Sequence, residues 1–149
     1  MVFDRDCPAQ IHDDRAFIGF VADTEPLVRK ATDPARMVAQ AIGELARAGW
    51  HPLDARYLQP QPGCEFGSYL LYLADDAVFC VVLDIFLPGQ LTDVHNHRTW
   101  GAFVCLAGEE RETVFQGDPA AGTPPVDLVH RDNPVGVART AGSGREELH

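Results

Sequence analysis

The feature that most narrows the possible folds is a series of short apolar runs, rich in β-branched and aromatic residues, that starts at Ser68 and recurs as far as Thr140. Residues 69–73, 78–87, 99–106, 111–115, 126–130 and 135–140 each read as a strand. Turn chemistry separates them. Asp75 and Asp76 stand between the first two runs, Pro88 and Gly89 follow the second, and Gly108 follows the third. A loop is expected over 116–125. Strands of this length and spacing predict a mostly β architecture, a barrel or sandwich, with helices packed on one side.

The helices precede the strands. Asp33 followed by Pro34 is a helix start, an N-cap side chain and then a proline whose missing N–H costs nothing at the first position. Met37, Ala41, Leu45 and Ala48 recur at helical spacing, Val38 and Ile42 widen the apolar face, and Gly49 is a natural stop. A second amphipathic piece covers 15–22. Between helices and strands, Pro52, Pro60, Pro62 and Gly63 mark a connector. The expectation is one domain over 1–149, with a helical lead at about 11–50 and a barrel at about 65–149. No internal repeat interrupts it.

With 149 residues and a net charge of −10, the chain is long enough for a core and too acidic, with its basic residues scattered, for nucleic acid or an anionic membrane. Asp4, Asp6, Asp13 and Asp14 give the first residues the wrong charge for a signal peptide. The most apolar run, 77–88, is broken by Asp84 and is too short for a membrane span. Cys7, Cys64, Cys80 and Cys105 have no zinc-finger spacing, and the last two sit in apolar runs as small hydrophobes. A reduced, cytoplasmic protein is expected.

His95 and His97 carry the chemistry. Placed on a strand, residues two apart face the same side, so both imidazoles reach one ion. Imidazole binds iron, zinc, copper and nickel. The competing reading is a surface pair with no ligand. Glycines frame the pair: Gly89 precedes His95 with five residues between, Gly101 follows His97 after three, and Gly108 follows after six more. At strand ends, glycines mark tight bends of a small barrel.

That frame resembles the first sequence motif of the cupin superfamily. It departs at Gly101, where many cupins have a glutamate ligand and cysteine dioxygenase-like members have cysteine or glycine. The resemblance extends to the bacterial thiol dioxygenases through Tyr69, Leu70, Leu71 and Tyr72, through 78–87, and through Pro88, Gly89 and Gln90. It continues through His95, Asn96, His97, Arg98, Thr99, Trp100 and Gly101, then Leu106, Ala107, Gly108 and Glu109, with Phe115 as the usual aromatic. The segments that carry it span Tyr69 to Phe115, about a third of the chain. The implied fold is the cupin double-stranded β-helix, a jelly-roll barrel with an N-terminal helical segment packed on it, and the implied state is a monomer, as family members often are.

The implied activity is that of a mononuclear non-heme iron enzyme that oxidises a small thiol to its sulfinate with O2. The implied cofactor is ferrous iron, with nickel, manganese or zinc for a different cupin enzyme (an isomerase, lyase or other oxygenase). A non-catalytic ligand-binding cupin is the third possibility. The third ligand is His149, following Gly136, Gly142, Ser143 and Gly144 in the outline of the second cupin motif. His130, after Pro125 and Asp127, is the alternative. Family members continue beyond such a histidine into a serine–x–histidine–x–tyrosine segment, so the barrel is expected to lack its last strands. Ser68 falls where the family holds substrate carboxylate with arginine or glutamine; its hydroxyl is a shorter, uncharged donor. Trp100 and Arg98 complete the expected substrate contacts, and Glu109 is expected to cap a strand end.

Overall fold

Asp14 shows how local chemistry starts this fold. Its Oδ1 accepts hydrogen bonds from the backbone N–H groups of Ala16 and Phe17, both at 3.0 Å, which caps helix α1 (Arg15–Val28). Its Oδ2 accepts from Trp50 Nε1 at 2.7 Å, and the Phe17 ring stacks on Trp50 with centroids 5.3 Å apart. One carboxylate therefore starts a helix and fixes the residue where the connector begins. The computed structural model describes residues 14–52, 58–60, 64, 66–95, 97, 99–116, 126–142 and 147–148.

Helix α1 runs six residues beyond the expected end, through Pro26. Proline removes one helical hydrogen bond and crowds the preceding turn. Burial overrides that cost, because Phe17, Phe20, Val21, Thr24 and Val28 form a continuous buried stripe. Helix α2 (Pro34–Arg47) begins as its sequence predicts, with Asp33 accepting from Arg36 N–H at 3.0 Å and Pro34 in the first turn, and Gly49 follows at φ +82°. Its buried face is rotated from the expected stripe. Ala35, Val38 and Gly43 are buried, Met37, Ala41 and Leu45 are half-buried, and Ala48 is exposed. Small residues take the closest approach.

Among the described residues seven strands follow: β1 (Phe66–Leu73), β2 (Cys80–Phe86), β3 (Gly101–Val104), β4 (Glu110–Gln116), β5 (Val126–Asn133), β6 (Ala138–Ala141) and β7 (Glu147–Leu148). All pairings are antiparallel, β1 with β2, β3 with β6, and β5, β4 and β7 in that order. Among the described residues these are three small sheets, not a closed barrel, so the observed class is mixed helix and antiparallel sheet. Several expected strands differ in extent. The segment from Pro134 to Val137 is a turn, closed by Val137 N–H to Pro134 C=O at 3.1 Å, which confines β6 to four residues. Strand β2, expected over 78–87, covers Cys80–Phe86, with Val81, Val82, Leu83 and Ile85 half-buried and Cys80, Asp84 and Phe86 exposed. Cys80 at its start is exposed, whereas Cys105 is buried and burial pushes its thiol pKa up.

The chain divides into two compact units, Met1–Lys30 with Trp50–Thr92, and Ala31–Gly49 with Asp93–His149. The helical lead is thus shared between them. In the first unit the end of α1 is clamped to the β1–β2 hairpin. Arg29 bridges Glu25 and Asp76, each at 2.5 Å, and the Tyr72 hydroxyl donates to Glu25. In the second unit α2 packs on β3 and β6. A Cβ added at Gly43 would lie 3.2 Å from Ala138 Cβ, so the glycine sets the closeness of helix and sheet. Among the described residues no helix is long and apolar enough to cross a membrane.

Candidate functional site

His95 and His97 lie in the second unit, on the irregular segment that leads into β3, and both are exposed. This corrects the expected strand placement. The reason is local: His95 Nδ1 bonds the backbone carbonyl of Asp93, two residues back, at 2.7 Å. That carbonyl serves the ring and not a strand ladder. The rings are nonetheless close, with centroids 5.3 Å apart and planes inclined at 67°. Two imidazoles sharing an ion through bonds of about 2.1 Å have centroids roughly 5 Å apart.

The bond to Asp93 decides which nitrogen is available. A carbonyl oxygen only accepts, so Nδ1 carries the proton and Nε2 carries the lone pair of neutral His95. Metal-ligating histidines are oriented in this way, by a hydrogen bond from the other ring nitrogen to a carbonyl or carboxylate. In His95 that orientation is present, with Nε2 left outside the bond to Asp93.

The glycine frame has a different basis from the one expected. Gly89 and Gly108 have φ of +81° and +82° with open space where a Cβ would be, so backbone conformation and not crowding calls for glycine. Gly101 needs neither. A Cβ there would meet Ala141 Cβ at an ordinary 3.8 Å, so a larger residue would fit at the start of β3.

Ser68 belongs to β1 in the first unit; it is only 6% exposed, and its Oγ has no hydrogen-bond partner among the described residues. Trp100 is half-buried just before β3. His130 is exposed on β5, with Nδ1 3.0 Å from the Thr113 hydroxyl of β4, and it shares an open groove of about 450 Å³ with Arg111 and Asp132. Arg98 and His149 lie outside the described residues; β7 pairs with β4 as far as Leu148, opposite Phe115. Among the described residues no group of three or more histidine, cysteine, aspartate or glutamate side chains is placed to hold a metal.

One polar cluster went unmarked in the sequence. Asn133, at the end of β5, is 1% exposed, and its Oδ1 accepts from Arg139 Nε while Arg139 Nη2 donates to the Asp132 carbonyl at 3.0 Å. The Nδ2 of Asn133 is buried without an acceptor among the described residues. Only the register of β3 with β6 and the β5–β6 turn bring these residues together, and no spacing rule signals it. No family model matches the chain.

Proposed function

We propose that His95 and His97 are imidazole ligands of a mononuclear iron centre in a cupin-type jelly roll, and that the protein oxidises a small thiol to its sulfinate. The observation that carries this reading is the Nδ1–H bond from His95 to the Asp93 carbonyl, which leaves Nε2 as the donor beside His97. Iron held by neutral imidazoles keeps its full charge and favours the deprotonated sulfur of a thiol over the protonated form. In the net reaction one O2 adds both atoms to the thiolate sulfur; sulfur is oxidised by four electrons, oxygen is reduced by four, and no external reductant is needed. His149 is the proposed third ligand, with His130 as the alternative. Gly101 brings no carboxylate to the centre, which leaves its charge suited to an anionic sulfur.

The test is metal analysis of the purified protein together with thiol-dependent oxygen uptake and sulfinate yield. Iron near one equivalent and one sulfinate per O2 are expected, both lost in His95→Ala. Full uptake in that variant would sink the proposal. Nickel, manganese or zinc in place of iron, without oxygen uptake, would point to a different cupin enzyme. An absence of bound metal would point to a ligand-binding cupin.

A further inference from the structure

In the first unit, large apolar side chains at one end of the β1–β2 hairpin face solvent. Phe66 and Phe86 stand opposite each other in the register, and their rings stack with centroids 6.0 Å apart and planes inclined at 16°. They are nonetheless 41% and 45% exposed. Each ring covers part of its partner and leaves the rest in water.

The chain then turns at once. Pro88 and Gly89, the latter at φ +81°, are the central residues of a β-turn closed by Gln90 N–H to Leu87 C=O at 3.0 Å. The Gln90 side chain bonds the turn a second time, its Oε1 accepting from Leu87 N–H at 3.0 Å. Leu87, which opens the turn, is 49% exposed, and Leu91, which follows it, is 90% exposed, with Pro88 also exposed. A leucine almost wholly in water, on a turn fixed by two hydrogen bonds, contributes nothing to the packing of its own chain.

Size and charge decide what such a face takes. Phe66, Phe86, Leu87 and Leu91 leave roughly 400 Å² of apolar surface bare, as large as the patches that mark interaction sites. A standard interface buries about 800 Å² per partner, and in homodimers about 65% of that is apolar. The patch thus supplies most of the apolar share of one copy. No lysine or arginine occurs between Arg56 and Arg98, and exposed Asp84, two residues before Phe86, lies on the same strand face. An acidic rim disfavours an anionic membrane, another common occupant of an apolar patch.

We propose that this face joins two copies of the chain in an isologous dimer, in place of the monomer that the cupin resemblance implies. Phe66, Phe86, Leu87 and Leu91 of each copy cover those of the other about a twofold axis. The doubly bonded turn loses little conformational freedom on docking. The Asp84 carboxylates belong to the rim, where like charges weaken the dimer and salt screens them.

Sedimentation equilibrium of the 149-residue chain as purified, over a concentration series at low and high salt, tests the dimer. A reversible dimer with a Kd in the micromolar range or tighter is expected, and its melting temperature should rise with protein concentration. Leu91→Glu should weaken it about tenfold or more, since a carboxylate replaces a leucine at the contact. Within one copy that side chain is almost wholly exposed, so the fold does not depend on it. Asp84→Asn should tighten the dimer at low salt and match the parent at about 1 M, where the screening length falls to about 3 Å. A chain monomeric at every concentration would overturn the proposal, and its co-sedimentation with phosphatidylcholine vesicles would assign the face to lipid instead. A dimer that neither variant shifts forms through another surface and overturns it as well. So does a dimer that salt weakens, which needs opposite charges at the contact. Should Leu91→Glu fail to fold, the concentration series and Asp84→Asn still decide. The face lies on the first unit and the histidine pair on the second, so His95→Ala should dimerise as the parent does.

Discussion

At the scale of single residues, backbone conformation and hydrogen-bond polarity explain more than residue type. His95 is informative because of where its ring points its proton, toward the Asp93 carbonyl. Ala77 is the clearest case of local strain. It sits at φ +57° in the β1–β2 hairpin, the only non-glycine residue at positive φ among those described, and its N–H donates to Ala74 C=O at 2.8 Å. The left-handed conformation costs an alanine roughly 1 kcal/mol that glycine avoids. Ala77→Gly should therefore raise the melting temperature by about 2–4 °C, seen by calorimetry. A fall would mean that glycine's greater freedom in the unfolded chain outweighs the strain.

At the scale of elements, two contacts organise the units. In the second, Gly43 lets α2 approach β6, and a larger side chain would strike Ala138 on the strand. Gly43→Leu is expected to cost about 1–3 kcal/mol by overpacking. Adding Ala138→Gly should recover part of that loss in denaturant titrations, because the two positions share one space. In the first unit, the clamp between α1 and the hairpin sets a pH dependence at each end of the scale. The bond from Tyr72 to Glu25, with burial second, pushes the phenol pKa up to about 12. Its contribution is complete below the ordinary tyrosine value of about 10 and fades as pH rises from there toward 12. One tyrosine should thus titrate late in ultraviolet absorbance, and Tyr72→Phe should remove that step. If all three tyrosines titrate together near pH 10, the bond is absent in solution. Arg29 holds the Asp76 carboxyl below the usual carboxylate range, so that ion pair is present above about pH 4 and is lost on acidification.

At the scale of the molecule, the histidine pair and the Arg139 cluster share the second unit, whereas Ser68 and the tyrosine clamp belong to the first. Metal binding to the native state raises stability by RT ln(1 + [L]/Kd), about 2.7 kcal/mol when free metal is a hundredfold above Kd. Ferrous iron should then raise the melting temperature of the parent chain by several degrees under anaerobic conditions and leave His95→Ala unmoved. An equal rise in both would remove the histidine pair from the metal site.

Local chemistry was legible from the residues. Asp33 and Pro34 begin α2, Gly49 follows its end, and Asp75 and Asp76 make the hairpin turn, because caps and turns depend on neighbours a few positions away. The strand runs were also legible from β-branched and aromatic periodicity, though their ends moved. The continuation of α1 through Pro26, the rotation of α2 onto Gly43, and the irregular backbone under His95 were not. Each is settled by what the segment packs against or bonds to, and not by its own propensities. The glycine frame around His95 and His97 was visible as spacing, while its cause at Gly89 and Gly108, a positive φ, belongs to the folded backbone. Arg139 and Asn133 lie six positions apart with no motif between them. A turn and an antiparallel register, formed only on folding, set one buried amide against one guanidinium.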